Sequence, residues 1–266
     1  MKVFLDEFTW PEIAERITAG RTTALILLGS TENHGPHAPL GTDTFIAEGI
    51  GRRLAPLIDA VALPVLPFGH CPQHRSFAGS ITISNRTIAT LLGEIAASLR
   101  GSGFTDLVFL SGHGGNATAI DLAISEIKEE AGHLNCVHAR MLPLQTSATF
   151  RAEVSAQLGQ ELTELWGAHG GEQETSAVLA LRPGLVDLSK APAEPDVSSY
   201  LARNRDPAVS APDHDLSAHA PEGSWGDARP ASAEQGEAFL DHMAAVMAAR
   251  VRPLLRTTRP DAGETT

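Results

Sequence analysis

Apolar residues recur along the chain in two rhythms. Four short stretches are runs of mostly aliphatic and β-branched residues bounded by turn formers: Ala24 to Gly29 (ALILLG), Val61 to Phe68 (VALPVLPF), Leu107 to Leu110 (LVFL) and Cys136 to Leu142 (CVHARML). Runs of this length without polar alternation predict strands buried on both faces. Two prolines in the second run predict an edge or irregular strand, because proline brings no N–H to a ladder.

Between these runs the spacing changes to three and four. Ile88, Leu91, Leu92, Ile95 and Leu99 predict a helix over Asn85 to Arg100, with Asn85 as its N-cap and Gly101 and Gly103 ending it. Ile120, Ala123, Ile124 and Ile127 predict a second from Ala117 to Ala131, stopped by Gly132. Phe45 to Leu57, Ala233 to Leu255 and a segment starting at Thr175 predict three more. Strands alternating with helices predict an α/β fold, in which one three-layer domain has a mostly parallel central sheet flanked by helices. That domain is expected to span 1–256, with 257–266 (TTRPDAGETT) as a frayed tail. Residues 189–232 are rich in Pro, Ala, Ser and Asp and lack periodicity, which predicts a long surface excursion, or else a lid or a subunit contact.

Composition narrows the class. The 266 residues are 42% hydrophobic, enough for a sizeable core and too much for a disordered chain. Two cysteines, Cys71 and Cys136, cannot staple a chain this long and are expected as reduced thiols. No apolar run approaches the ~20 residues that cross a bilayer, and MKVFLDEFTW turns acidic too early for a signal peptide, so no membrane and a cytoplasmic location are expected. The net charge of -12 repels phosphate backbones and argues against nucleic acid. Eleven histidines change the picture most, because several stand beside Gly, Asp and Glu rather than inside apolar runs.

The exit of the first strand, STENHGPHAPLGTD, offers Glu32, His34, His37 and Asp43 within twelve positions. In extended chain Glu32 and His34 share a side. Gly35, Pro36, Pro39 and Gly41 then bend the chain so that Asp43 can return to the same point. Carboxylate with imidazole suits zinc, manganese or iron; the plainer alternative is a polar loop capping its own turns. The third strand runs into SGHGGN, which places His113 among glycines at a strand's carboxyl end, with Asn116 able to cap the next helix. A phosphate cradle is the rival there, although the spacing fits neither common glycine-rich motif. In WGAHGGEQETS, His169 precedes Glu172 and Glu174, and Glu172 could simply favour a helix N-terminus. In FGHCPQHRSFAGS, His74 is a candidate substrate contact and His70 is expected to be solvated. Ser30, Ser111 and Ser176 lie near these motifs, but none sits in the elbow of a serine hydrolase.

Taken together, ENHGPHAPLGTD, HRSFAGS, SGHGGN, HGGEQETS and GSWGDARPASAEQGE resemble the creatininase (creatinine amidohydrolase) family, in the family's order and over most of the chain. The resemblance implies a single creatininase-like α/β domain, two divalent metal ions (Zn, Mn or Fe), hydrolysis of amide or cyclic amide C–N bonds other than peptide bonds, and a homo-oligomer such as a hexamer. It implies Glu32, His34, Asp43, His113 and Glu174 as metal ligands, with Asp43 bridging and Glu174 completing the second site. His169 is then the proton donor. Apart from the resemblance, Phe68, His74, Phe77, Trp166 and the 189–232 excursion are expected to line the pocket of a small-molecule amide substrate. One departure stands out. Members acting on creatinine carry a carboxylate two residues after the GHxxN histidine, where this chain has Gly115. Relatives with GHGGN include a formamide-cleaving enzyme, a peptide-trimming enzyme of mycofactocin maturation and inositol-derivative hydrolases. The rival outside this class is a non-catalytic nucleotide- or phosphate-binding module; a dead scaffold keeping metal for stability is a third reading.

Overall fold

The computed structural model describes residues 1–163, 166–192, 216–218 and 220–256. The tail 257–266 and most of the 189–232 excursion lie outside the described residues. Among the described residues the sheet has four strands: β1 (Thr23–Leu28), β2 (Ala60–Ala62), β3 (Asp106–Ser111) and β4 (Asn135–Ala139). Their order is β2-β1-β3-β4, and every pairing is parallel.

Strand periodicity of two divides the core. Leu25, Leu27, Val108, Leu110, Val137 and Ala139 face one layer, built from α2 (Thr42–Leu57), α6 (Ala148–Leu158), α7 (Glu172–Leu181) and the C-terminal α8 (Ala233–Val251). Ala24, Ile26, Leu28, Leu107, Phe109 and Cys136 face the other, built from α3 (Asn85–Gly101) and α4 (Ala117–Glu130). Both faces are covered, which is why the strands carry unbroken apolar runs. No helix among the described residues is long and apolar enough to cross a membrane.

Several boundaries differ from the expected ones, and three of them have a clear local reason. β2 stops at Ala62, and only Leu66 returns to bridge Leu28, because Pro64 and Pro67 interrupt the ladder. β4 ends at Ala139, and Leu142 opens the short helix α5 (Leu142–Gln145) with Pro143 in its first turn. α8 ends at Val251, and Arg252–Leu254 tighten into a 3-10 turn around Pro253. The cap of α3 is Ser84 rather than Asn85: the Ser84 hydroxyl accepts the Thr87 N–H at 3.1 Å. Apart from α5 and α6, the helix α1 (Trp10–Thr18) was also not expected; Thr9 and Glu12 form a capping box at its start.

The strands β1 and β3 run side by side in register from Thr23 opposite Asp106 to Leu28 opposite Ser111. Their carboxyl ends therefore deliver residues 30–34 and 111–116 to one place. Gly112 packs against the first turn of α2, where a Cβ would lie 2.2 Å from the Asp43 carbonyl oxygen. That contact brings Asp43 between the two strand exits.

Candidate metal centre

Four stretches of chain converge on one buried cluster. Glu32 and His34 leave β1, Asp43 sits in the first turn of α2, His113 follows β3, and Glu174 lies in the first turn of α7. Two triads share Asp43: Glu32, Asp43 and His113, and His34, Asp43 and Glu174. His113 Nδ1 stands 3.2 Å from Glu32 Oε2 and 3.2 Å from Asp43 Oδ2. His34 Nε2 stands 3.3 Å from Asp43 Oδ1 and 3.7 Å from Glu174 Oε2. The two oxygens of Asp43 thus face opposite triads.

Each imidazole is oriented by a backbone carbonyl. Carbonyls only accept, so His34 donates Nδ1–H to Glu32 O at 3.0 Å and His113 donates Nε2–H to His70 O at 3.0 Å. The remaining nitrogens point into the cluster, where each would offer a lone pair to a cation on losing its proton, as metal-ligating histidines are usually held. The carboxylates are steered too. Ser30 Oγ donates to Glu32 Oε2 at 2.7 Å, and the Gly170 N–H donates to Glu174 Oε2 at 2.7 Å. Two atoms remain orphaned, since His34 Nε2 and Asp43 Oδ2 are buried without a hydrogen-bond partner. A buried polar atom without a partner is costly, and a cation between the triads satisfies both. The donor set of carboxylate and imidazole is the chemistry that zinc, manganese and iron accept.

Electrostatics make the same demand. Burial pushes Glu32 up, but the imidazoles of His113, His74 and His34 outweigh it and hold the carboxyl well below its usual range. Burial also opposes ionisation of Asp43, yet facing His34 lowers it. Burial pulls His34 down, but Asp43, then Glu174 and Glu32, raise it to about 10. His113 is likewise raised well above its ordinary value against its burial, by Glu32 and Asp43. Glu174 is pushed up to about 7 by burial, with His34 and the Gly170 N–H opposing. Three carboxylates in one buried site call in positive charge; without metal, protons on His34 and His113 supply it.

His169 and His74 complete the wall. His169 donates Nε2–H to Asn33 O at 2.8 Å, which leaves Nδ1 facing Glu32 Oε1 at 4.0 Å. Its ring lies 4.4 Å from that of His34 and 4.7 Å from that of His74, centre to centre. Burial, then the charges of His34 and His74, hold His169 well below its ordinary pKa. His169 also forms a third grouping with Glu32 and His34. His74 Nε2 stands 3.3 Å from Glu32 Oε1, and burial lowers its pKa to about 4.

Several expected residues lie elsewhere. Trp166 is 1% exposed and packs in the core against Phe150 and Phe239, so it has no face for a substrate. The indole beside the cluster is that of Trp225, whose ring meets the His169 ring at 5.4 Å and whose backbone N–H donates to the His169 carbonyl at 2.9 Å. GSWGD carried it in the sequence, but nothing in the local pattern marked the tryptophan itself. His37 stands outside the metal-holding groups, and its Nε2 lies 3.0 Å from Gly170 O. His70 is half-buried rather than solvated, with Nδ1 at 2.9 Å from Ile83 O. Asn116 does not cap α4 through its side chain; it donates to Gly29 O and Ser111 Oγ and accepts the His70 N–H. The 111–116 turn spends its polar groups internally, with Ser111 Oγ accepting the His113 N–H and donating to its carbonyl. That leaves little of a phosphate cradle. Ser30 and Ser176 donate to Glu32 and Gln235, so neither is hydrogen-bonded to an imidazole as the nucleophile of a Ser–His pair would be.

Gly115 has a steric reason. A Cβ there would lie 2.3 Å from His113 Nε2 and 2.4 Å from His70 O, the two atoms that make the orienting hydrogen bond. A carboxylate at 115 and this His113 geometry exclude one another. Glu174 stands in the second triad.

Comparison with known proteins places nearly the whole chain in one family. The family model described as creatinine amidohydrolase matches residues 6–251. A creatinine amidohydrolase of Pseudomonas putida is 30% identical over 253 residues, covering 90% of this chain and 92% of that protein. A mycofactocin precursor peptide peptidase of Mycobacterium ulcerans is 32% identical over 253 residues, covering 88% and 82%. Among solved structures, a manganese creatininase superposes with a TM-score of 0.78 at 27% identity, and a mutant creatininase of the Zn–Zn type with 0.79 at 27%; each match covers 95% of this chain and 98% of the other. The fold, the cluster of acidic and imidazole groups at the strand ends and the near full-length match lead to one assignment: this chain is a member of the creatininase family of amidohydrolases.

Proposed function

We propose that the chain is a two-metal hydrolase that cleaves a C–N bond in a small amide, formamide or cyclic amide. Glu32, Asp43 and His113 hold one divalent ion, and His34, Asp43 and Glu174 hold the other. The observation that carries this reading is the split of Asp43, with Oδ2 toward His113 at 3.2 Å and Oδ1 toward His34 at 3.3 Å. When bound, zinc, manganese or iron supplies Lewis acidity, polarising the amide carbonyl and making water nucleophilic near neutral pH.

The chain's own groups handle the protons. An amide nitrogen leaves only when protonated, so an acid is required at the scissile bond. His169 fits that role because Asn33 O fixes its Nε2–H and turns Nδ1 toward the cluster. Its lowered pKa means that it rests unprotonated. It therefore first accepts a proton from the attacking water and then delivers that proton to the departing nitrogen. His74, at the same wall, contacts the substrate.

Gly115 weakens creatinine as the substrate, because the position that bears a carboxylate in creatinine-cleaving members has no room for one here. The peptidase relative at 32% identity supports a second reading, trimming of a peptide, at the same centre. A panel of small amides, formamides, lactams and peptides, offered to zinc- or manganese-reconstituted protein, tests the proposal. The expected result is hydrolysis of at least one class, abolished by a chelator and restored by metal. Hydrolysis that survives full metal removal would contradict it.

A further inference from the structure

His37 was expected near the metal ligands, yet it turns away from them. Its side chain is buried, and its Nε2 lies 3.0 Å from Gly170 O and 3.1 Å from Thr175 Oγ1. A carbonyl only accepts, so Nε2 carries the hydrogen and donates to Gly170. Gly35 lies flat against the other edge of the ring: a Cβ there would meet His37 Cε1 at 2.8 Å and Nδ1 at 2.9 Å. The ring is thus wedged between the β1 exit loop and the turn before α7.

Gly170 is the residue whose N–H donates to Glu174 Oε2 at 2.7 Å. One glycine is therefore gripped on its carbonyl by His37 and grips Glu174 with its amide. The adjacent residue is His169, fixed in turn by Asn33 O, which belongs to the same exit loop as His37. The first triad has no such dependence, because Glu32 is steered by Ser30 and His113 by His70 O.

We infer that His37 is a positioning residue for the second metal triad alone, acting through the Gly170 peptide to hold Glu174 in place. The inference deepens the two-ion reading and rests on it. Burial holds the His37 imidazole below its ordinary pKa, consistent with a neutral structural donor. Glutamine can present an N–H where His37 Nε2 stands, and leucine cannot.

The test compares wild type, His37→Leu and His37→Gln in two readouts. In calorimetric titration of stripped protein with Mn2+, wild type should fill two sites. His37→Leu should fill one with unchanged affinity and the other at least 10-fold more weakly, and His37→Gln should restore both. In hydrogen exchange of the metal-free proteins, the Gly170 amide should exchange at least 10-fold faster in His37→Leu and recover in His37→Gln. Equal weakening of both sites, or no weakening with Gly170 exchange unchanged, would overturn the inference. A wild type that fills only one site would instead sink the two-ion reading, and the Gly170 exchange rates would still decide the role of His37.

Discussion

His169 is one atom away from two roles. Its Nδ1 can carry a proton or join Glu32 and His34 around an ion, and the hydrogen bond from Nε2 to Asn33 O is compatible with both. The proton-carrying role predicts that His169→Gln lowers kcat by about 100- to 10,000-fold, the usual span for general acid–base groups, while ion content stays at the wild-type value. A variant that loses an ion would place His169 among the ligands. The candidate ligands nearest one another in the chain were the most legible in the sequence. Glu32, His34 and Asp43 share one glycine- and proline-bent loop, so their convergence followed from spacing. His37, in that same loop, was misread because its partner, Gly170, is 133 residues away. Trp166 was misplaced for the same reason: whether an indole meets the core or the cluster depends on distant residues such as Phe150 and Phe239 for Trp166 and His169 for Trp225.

Helices and strands were legible where periodicity was long and pure. α3, α4 and three of the four strands lie where their apolar patterns put them, with ends shifted by at most three residues. The shifts fall at caps and prolines, where local hydrogen bonds compete with the hydrophobic pattern. Ser84 shows how that competition is resolved. Its hydroxyl satisfies the Thr87 N–H, while the Asn85 side-chain oxygen is buried with no partner. Ser84→Ala should therefore destabilise the protein by about 1 kcal/mol, the usual loss for an N-cap. Asn85→Ala should change stability by less than about 0.5 kcal/mol, as for a position without such a role. Urea midpoints of the two variants decide it, and a larger loss at Asn85 would restore the sequence-based assignment of the cap. Helix α6, with little amphipathic pattern, was the hardest to see, though Ser147 caps it by accepting the Phe150 N–H.

For the molecule as a whole, the alternation of strands with helices made the layered parallel sheet readable, whereas neighbour relations were not. Nothing local says that β3 inserts beside β1 while β2 takes the edge, yet that order is what sets 30–34 beside 111–116. The assembled cluster has a global consequence for stability. In metal-free protein His34 titrates at about 10 against an ordinary 6.5. A raised folded pKa means that the folded state holds the proton more tightly than the unfolded state, so this stabilisation is complete below pH 6.5 and is lost as pH rises toward 10. His113, also raised, acts in the same direction. The urea midpoint of stripped protein should therefore fall between about pH 7 and pH 10, and bound ions should flatten that slope by replacing the protons on both imidazoles. Parallel pH profiles with and without metal would contradict this.

The central claim is that Asp43 joins two ion-binding triads in one buried cluster. The most direct measurement is the number of zinc or manganese ions per chain in reconstituted protein, determined by elemental analysis after exhaustive buffer exchange, for wild type and Asp43→Asn. The account predicts two ions in wild type and a loss at both positions when the shared carboxylate becomes an amide. A wild-type chain that retains none or one at saturation, or an Asp43→Asn chain that retains both, would contradict it.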